Sequence, residues 1–464
     1  MNVIVIMSDS YRWDHLGHNG NTNIKTPCLD AFAEKSAIFD NYYVDNLPTL
    51  PMRASAFMGR LTFPFRGWED MLPGDDRLAM MLFHRGINTS IVFDSFPFFH
   101  MGHGYIEGFQ TVDMMRQGRA VYMKDDYPPD LYPDEWFFQE GRGVNEAVLP
   151  KGFLKFRRSW TTEEQFGSAR TVNHAKRWLD NYQEDYSRKE PFMLWVDIFD
   201  PHEPWLAPDE YWRPDMPENF EGVLPICPNP RHEDFYLTEM EQQACHALYG
   251  GCCKFTDKWI GKLLNHVEKL GLMDDTMIIF TSDHGLPIGD GKWGHGLYCK
   301  WRPWPYDEIA HAPFVVYHPE MKNAGKRFDT FAQPCDMTAT ILDFFNTNMT
   351  ERMHGRSLLP VMTGEKEKIR DFAFACHAER GGSRSIRTKE WTYIYWPGQT
   401  MSHGSIVETR DPELYRRDAD LTELNNVIDE YPEVAKDMEI QMRRFEEKLL
   451  DEENPEPLWD NRPL

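Results

Sequence analysis

Three short apolar segments, each followed closely by acidic or histidine residues, constrain the fold of this chain more than any other feature. The segments are Val3–Met7, Phe192–Val196 and Thr276–Thr281. Their length and composition are typical of strands buried on both faces of a parallel sheet. The polar groups that follow are Asp9, Asp200-Pro201-His202 and Asp283-His284. Because ligands of such sheets bind beyond the carboxyl ends of the strands, the sequence predicts that these side chains converge there.

Segments with helical periodicity alternate with the apolar ones, which indicates an α/β fold with a mainly parallel sheet flanked by helices. One helix is predicted from Thr26, as its N-cap, to about Ala37, and a longer one from about Thr238 to Leu270. Further predicted elements are a helix at Leu78–His84 and strands at Thr89–Phe93 and Ala312–Tyr317.

The sequence pattern changes after about residue 370. Short segments typical of strands come first, and a charged segment typical of a helix follows near Pro432–Leu450. We therefore expect two units: a catalytic α/β domain over residues 1–370, and a smaller antiparallel sheet plus helix, with a tail, over 371–464. The 464 residues leave room for both. Residues 104–160 show weak periodicity, so we expect a long loop that lines a site or an oligomer interface.

The composition bears on partners and on location. The 74 acidic residues against 50 basic ones give a formal net charge of −24. Nucleic acids and anionic membranes attract positive surfaces, so neither is an expected partner. The first apolar run is too short for a secretory signal, no segment has the length of a membrane span, and the eight cysteines lack paired spacing. These features predict a cytoplasmic protein with reduced thiols.

The side chains at the strand ends suggest a metal site. Asp9, Asp283 and His284 offer two carboxylates and one imidazole, a donor set that suits Mn²⁺, Zn²⁺ or a related divalent ion. Each residue taken alone is more simply a turn or cap residue. Their joint position after apolar strands favours the metal interpretation.

A second candidate lies at the start of a predicted helix. Thr49 precedes Pro51, a residue typical of a first helical turn, and Arg53 follows Thr49 by four positions. A hydroxyl at a helix N-terminus together with a guanidinium suits a phosphate or sulfate group. From this segment alone, an ordinary helix start is the favoured interpretation.

The order and spacing of these motifs resemble the sulfatase branch of the alkaline phosphatase superfamily over nearly the whole chain. The matching segments are Ile6–Asp9, Arg12–Gly17, Lys25–Asp30, Thr49–Arg60, Asp200–Trp205, Thr281–Gly285, Tyr306–Glu308, His311–Pro313, Glu413–Tyr415 and Asp420–Asn426. The resemblance implies an alkaline-phosphatase-like α/β fold with a C-terminal subdomain. It also implies an ester hydrolase in which Asp9, Asp283 and His284 hold one metal ion against Thr49.

The resemblance implies further substrate contacts. His202 and a lysine between residues 292 and 300 would contact the oxyanion or the leaving group, and Arg53 would add a cation. Spacing back from Tyr306 favours Lys300 for the lysine. The competing residues are Lys292, His295 and Arg302. His202 or His295 would protonate the leaving oxygen.

Two departures from the family pattern bear on the chemistry. Sulfatases carry Cys or Ser where Thr49 stands and oxidise it to the aldehyde formylglycine, whereas oxidation of threonine gives a ketone. A threonyl ester must be released by water, a step familiar for phosphoryl groups, and threonine nucleophiles occur in phosphodiesterase and nucleotide-pyrophosphatase relatives. Ser10 and His284 stand where many sulfatases carry Asp and Asn, which shifts the preference from Ca²⁺ toward Mn²⁺ or Zn²⁺, as in phosphonate monoester hydrolases.

The resemblance therefore implies a metal-dependent hydrolase that uses Thr49 as its nucleophile on phosphate diesters, phosphonate monoesters or phosphate monoesters. One divalent ion is expected, Mn²⁺ or Zn²⁺ before Ca²⁺, and no formylglycine. Two alternatives stay open: a sulfatase or transferase that works without formylglycine, and a non-catalytic binding protein of the same fold. The expected partner is a small anionic ester, and assembly into a homo-oligomer is left open.

Overall fold

The computed structural model describes residues 1–63, 66–95, 104–115, 138–139, 142–143, 160–185, 190–222, 224–228, 237–289, 294–298, 300, 304–320, 324–377, 382–397 and 410–450. Its strands are β1 (Asn2–Asp9), β2 (Ala37–Tyr42), β3 (Asn88–Phe93), β4 (Thr111–Met114), β5 (Phe138–Gln139), β6 (Arg142–Gly143), β7 (Phe192–Pro201), β8 (Thr276–Ser282), β9 (Phe314–Tyr317), β10 (Arg327–Ala332), β11 (Phe372–His377), β12 (Ser383–Thr388), β13 (Trp391–Tyr395) and β14 (Glu413–Arg416).

Helices of very different length connect these strands. Those within the described residues are α1 (Pro27–Ala33), α2 (Thr49–Met58), α3 (Leu78–His84), α4 (Gly167–Asp185), α5 (Asp209–Trp212), α6 (Glu239–Lys269), α7 (Asp307–Ala310), α8 (Pro334–Phe344), α9 (Leu359–Thr363) and α10 (Pro432–Leu450). None of them combines the length and apolarity needed to cross a bilayer.

The large sheet has eight strands in the order β10-β2-β9-β8-β1-β7-β3-β4. All neighbouring pairs are parallel except the two that β9 makes with β2 and β8. The three strands singled out in the sequence are adjacent, because Val3 of β1 pairs with Met193 of β7 on one side and with Met277 of β8 on the other. This confirms the expected fold class and places their carboxyl ends side by side.

Alternate residues of β1 enter two separate hydrophobic cores. Ile4 and Ile6 pack with α6 on one face of the sheet, whereas Val3, Val5 and Met7 pack on the other face with α2 and α8. Each fully buried side chain of this size contributes about 1.5–3 kcal/mol of hydrophobic free energy. A strand buried on both faces can hold the site residues at its end in a fixed position.

The helix predicted near Thr26 is shorter than expected. Helix α1 ends at Ala33, and Ala37 instead begins strand β2, which pairs with β9 and β10. Thr26 is not a side-chain cap, because its hydroxyl donates to Asp30 at 3.0 Å and accepts from the amide of Gly17 at 2.8 Å. Long-range strand pairing thus ends a helical pattern that local sequence would extend.

A second sheet with the antiparallel order β11-β12-β13-β14 follows the large one. The charged helix α10 buries Met438, Met442 and Phe445 against it. The predicted boundary after residue 370 falls in the connection between the two sheets and stays a prediction. The long loop expected over 104–160 lies largely outside the described residues, and where it is described Thr111–Met114 forms edge strand β4, so that part was wrong.

Candidate active site and metal centre

Asp9, Asp283 and His284 come together at the carboxyl edge of the large sheet. Asp9 ends β1, and Asp283 follows directly on the neighbouring strand β8. One ligand atom from each of the three residues lies within 4.8 Å of the others, and all three side chains are buried. The convergence inferred from the sequence is therefore present in the structure.

The imidazole of His284 has the tautomer and the neutral state that a metal ligand requires. Its Nδ1 donates to the carbonyl oxygen of Gly285 at 2.6 Å, which leaves Nε2 as the nitrogen with a lone pair. Nε2 lies 3.5 Å from Oδ2 of Asp283, on the side of the cluster. Burial, together with the charge of Lys300, holds the pKa of His284 well below its usual value, so the ring is neutral.

The two carboxylates carry an electrostatic cost that a divalent cation would relieve. Burial and the charge of Asp9 raise the pKa of Asp283 to about 7. Burial also acts to raise the pKa of Asp9, but Lys300, His202 and Arg53 together hold it well below its usual value. Two buried carboxylates and a neutral imidazole that face one another fit a Mn²⁺ or Zn²⁺ ion in both charge and donor type.

Thr49 lies at this cluster as the first residue of α2. Its Oγ1 is 3.3 Å from Nε2 of His284, and the residue is almost fully buried. The first turn of α2 also directs the positive end of the helix dipole toward this position. The structure therefore places a hydroxyl beside the candidate metal ligands, at the position that the family resemblance implied.

Arg53 lies in the protein interior among three carboxylates. Its guanidinium is fully buried and makes a forked contact with Asp197, through Nε at 3.0 Å and Nη2 at 2.8 Å. Nη1 donates to Asp283 at 2.6 Å and Nη2 to Asp9 at 3.3 Å. Arg53 thus contacts the carboxylates of two candidate metal ligands and of Asp197, and its contact with a substrate stays a prediction.

Asp197 is a site residue that sequence reasoning missed. It lies within β7, fully buried, and accepts hydrogen bonds from Arg53, from Ser95 Oγ and from the indole of Trp195. Its signal was an acidic residue inside an otherwise apolar buried run, since a buried charge requires a partner. The partner, Arg53, is 144 residues away in the chain.

Ser10 is a second residue that sequence reasoning missed, and its backbone orients the candidate ligand Asp283. Its φ of 66° lies in the left-handed region, which costs a non-glycine residue about 1–2 kcal/mol. The bend lets the amide of Ser10 donate to Oδ1 of Asp283 at 2.8 Å, and its carbonyl accepts from the hydroxyl of Tyr249 at 2.7 Å. The strain is thus offset by contacts that orient a metal-binding carboxylate.

Lys300 reaches the cluster, as the spacing from Tyr306 predicted. Its Nζ donates to Oγ of Ser10 at 2.9 Å and to Oδ1 of Asp9 at 3.4 Å, and the residue is buried. The competing residues Lys292 and Arg302 lie outside the described residues. Lys300 is therefore the described lysine that brings an ammonium to the metal-binding carboxylates.

His202 follows β7 and lies at the edge of the cluster. Its ring stacks on Phe199 with centroids 4.2 Å apart, and its Nδ1 contacts the carbonyl oxygen of Glu203. Its charge contributes to lowering the pKa of Asp9, so the two groups are close enough to interact electrostatically. This position is compatible with the substrate contact that the resemblance implied.

His295 is held by contacts with Glu308, Glu423 and Tyr306. Its Nδ1 hydrogen-bonds Oε1 of Glu308 at 3.1 Å, and its Nε2 hydrogen-bonds the carbonyl oxygen of Glu423 at 2.8 Å. The ring also stacks on Tyr306 with centroids 3.6 Å apart. Both ring nitrogens are thus engaged, so His295 links Glu308 of α7 to the segment that follows β14, and a role as general acid stays a prediction.

These contacts make His295 a source of pH-dependent stability. Burial acts to lower the pKa of His295, but the hydrogen bond and charge of Glu308, with the charge of Glu423, raise it above its usual value. The protonated form is therefore favoured in the folded state, and its stabilisation is complete below about pH 6.5 and is lost as the pH rises through the raised pKa. A charge-assisted hydrogen bond of this kind contributes roughly 1.5–3 kcal/mol.

We expect His295→Gln to remove that dependence, because glutamine can donate a hydrogen bond but does not titrate. Urea unfolding midpoints at about pH 6 and about pH 8.5 should fall more in the wild type than in the variant. An equal fall of the urea midpoint between the two pH values in both proteins would contradict the assignment of a protonated His295.

Comparison with known proteins agrees with this geometry. Residues 1–347 match the family model described as Sulfatase, and residues 294–448 match the model described as N-sulphoglucosamine sulphohydrolase, C-terminal. An arylsulfatase from Clostridium perfringens is 26% identical over 93% of this chain and 91% of its own length. A choline-sulfatase from Rhizobium meliloti is 24% identical over 92% of this chain and 82% of its own length.

Solved structures show the same fold. A phosphonate monoester hydrolase from Silicibacter pomeroyi superposes with a TM-score of 0.72 at 20% identity, covering 97% of this chain and 96% of that one. The family model spans most of the chain, including Asp9, Thr49, Asp283 and His284. With a site built from these residues at the carboxyl edge of an alkaline-phosphatase-like sheet, the chain belongs to the sulfatase family and is an ester hydrolase.

Proposed function

We propose that this enzyme hydrolyses phosphate diesters, phosphonate monoesters or phosphate monoesters through a covalent ester on Thr49. The observation that supports the proposal is the identity of the side chain at the start of α2. A threonine hydroxyl, 3.3 Å from Nε2 of His284, stands where the family resemblance implies a residue that is converted to formylglycine. A secondary alcohol cannot yield that aldehyde, so the hydroxyl itself is the nucleophile.

The donor set proposed for a metal is Asp9, Asp283 and His284, with Thr49 facing it. A divalent ion bound there would act as a Lewis acid that lowers the pKa of the Thr49 hydroxyl and offsets charge on the ester. The neutral ring of His284 and the hydrogen bonds from Arg53 and Ser10 keep the donor atoms oriented. Mn²⁺ or Zn²⁺ is proposed before Ca²⁺ because one donor is a nitrogen.

In the first displacement, the hydroxyl of Thr49 loses its proton to solvent and Oγ1 forms a bond to phosphorus, while the bond from phosphorus to the leaving oxygen breaks. The proton needed by the leaving oxygen comes from His202, whose charge acts on Asp9 and which is not one of the candidate metal ligands. The ammonium of Lys300 stabilises the negative charge on the non-bridging oxygens, since it already lies against Asp9 and Ser10.

In the second displacement, water gives one proton to His202 and its oxygen forms a bond to phosphorus, while the bond to Oγ1 of Thr49 breaks and Oγ1 takes up a proton from solvent. The threonine hydroxyl is thereby regenerated and the phosphate or phosphonate product leaves. No oxidation of the side chain takes part in either step.

A panel of four substrates tests the proposal. We expect kcat/KM for an aryl phosphate diester, a phosphonate monoester or a phosphate monoester to exceed that for the matching aryl sulfate by at least about 100-fold, or about 2.7 kcal/mol in transition-state free energy. All four compounds carry the same aryl leaving group, so the ratios report the group that is transferred and not the leaving group. An aryl sulfate that is turned over fastest would contradict the proposed substrate class.

The second candidate is a sulfatase that acts without formylglycine. It is favoured by the names of the matched relatives from Clostridium perfringens and Rhizobium meliloti, which are both called sulfatases. The same panel decides between the two, and the mass of the peptide that contains Thr49 shows whether that residue is unmodified.

A further inference from the structure

The segment that carries Lys300 is held at two points by the C-terminal part of the chain. At one point, Nε2 of His295 hydrogen-bonds the carbonyl oxygen of Glu423 at 2.8 Å. At the other, Nε2 of His377 hydrogen-bonds the carbonyl oxygen of Lys300 itself at 3.0 Å. Glu423 follows β14 and His377 ends β11, so both contacts come from the region of the four-stranded sheet.

The contact of His377 with Lys300 lies in the protein interior, and that of His295 with Glu423 is partly buried. His377 is fully buried, Lys300 is 5% exposed and Glu423 is 1% exposed. A hydrogen bond to a buried carbonyl is costly to lose, because water cannot easily replace it. The backbone carbonyl of Lys300 is therefore held by β11, whereas the ammonium at the other end of the same residue contacts Asp9.

Glu423 is itself firmly held. Its φ of 57° is left-handed, and its carboxylate accepts from Nε of Arg387 at 3.1 Å and from the amide of Asp307 at 2.8 Å. A residue kept in a strained conformation by several contacts gives a rigid carbonyl for His295 to bind. The contact at His295 thus rests on a fixed support.

We propose that His377 is a positioning residue, which sets the place of Lys300 in the site through the Lys300 backbone, with Glu423 and His295 as the second support. The ammonium of Lys300 must lie within hydrogen-bond reach of the ester oxygens to stabilise their charge. An error of about 1 Å in such a group can lower the rate about 100-fold. The four-stranded sheet is therefore a working part of the active site, although it supplies none of the candidate metal ligands.

The proposal rests on the proposed function only in taking Lys300 as a contact to the oxyanion. Each kinetic comparison below uses whichever ester the wild type turns over fastest, so an error in the substrate class leaves the test intact. Calorimetric titration with inorganic phosphate adds a measurement that needs no turnover at all.

The experiment compares His377→Leu, which removes the donor, with His377→Gln, whose amide nitrogen occupies nearly the same place as Nε2. We expect His377→Leu to lower kcat by about 10- to 100-fold and to weaken phosphate binding, and His377→Gln to recover most of both. If the leucine variant gives little folded protein, His377→Asn replaces it, because its shorter amide cannot reach the carbonyl of Lys300.

Combination with Lys300→Ala separates positioning from general destabilisation. In the Lys300→Ala background, His377→Leu should change kcat and phosphate affinity by less than about 2-fold, because the group that it positions is gone. Equal losses in both backgrounds, or wild-type kinetics and phosphate binding in either His377→Leu or Lys300→Ala, would overturn the proposal. The chemistry of Thr49 is tested by its own variants, and its failure would leave these ratios unchanged.

Discussion

Replacement of Thr49 by valine is expected to lower kcat/KM by about 10⁴-fold or more, since the variant keeps the shape of the side chain and loses only the nucleophilic oxygen. Thr49 is 1% exposed at the start of α2, so an isosteric change should leave the fold intact. Steady-state kinetics on the four-substrate panel, with thermal unfolding as a check on the fold, measures both.

The serine variant is the matched control for that experiment. Thr49→Ser keeps a hydroxyl at the same atom position, so we expect it to stay within about 100-fold of the wild type. Rapid acid quenching of the wild type should trap a phosphoryl or phosphonyl ester, which mass spectrometry would locate on Thr49. Full activity in the valine variant would refute the role of Thr49 as nucleophile.

Loss of the metal is expected to have an effect of similar size. Asp283→Ala removes one of the three candidate ligands and should weaken binding of Mn²⁺ or Zn²⁺ by more than about 100-fold, because even outer-shell changes cost 10- to 100-fold. Chelation should lower both the metal content and the turnover of the wild type. Adding the ion back should restore turnover in the wild type but not in the variant. Elemental analysis and kinetics together measure the outcome.

Asp257→Asn provides a matched control, since Asp257 is another largely buried carboxylate. It accepts hydrogen bonds from the amides of Cys28 and Leu29 and touches none of the candidate ligands in the contacts described above. We expect the Asp257→Asn protein to be less stable than the wild type and to keep the wild-type metal content.

Metal should also raise the thermal midpoint of the wild type, because it binds only the folded chain and relieves the repulsion between Asp9 and Asp283. A midpoint that does not respond to the ion would contradict the proposed centre.

The strands that carry the site could be predicted from the sequence because their signals are local. The apolar runs ending near Asp9 and Asp283 are short, continuous and followed by polar residues, and both strands appear within two residues of the predicted limits. The helix from Glu239 to Lys269 was also predictable, since Thr238 and Glu241 form a capping box at its start. For such elements, propensity and tertiary packing favour the same conformation.

What could not be predicted depends on distant partners. Nothing near Ala37 indicates that a strand begins there, because β2 is stabilised by pairing with β9 and β10. Arg53 has the spacing of an anion-binding arginine, yet three carboxylates in the folded chain, including Asp197, engage it first. His295 similarly had a suitable position in the sequence, but its contacts to Glu308 and Glu423 depend on how the two sheets meet.

The adjacency of β8, β1 and β7 has a consequence for synthesis on the ribosome. β1 precedes both of its neighbours in the chain, and these end only at Pro201 and Ser282. A nascent chain therefore cannot assemble the candidate metal ligands until Asp283 and His284 have left the exit tunnel, and the contact between His377 and Lys300 forms later still. If the proposed function holds, binding of the ion is a late event in biogenesis, and a prematurely terminated chain carries Thr49 without Asp283 and His284.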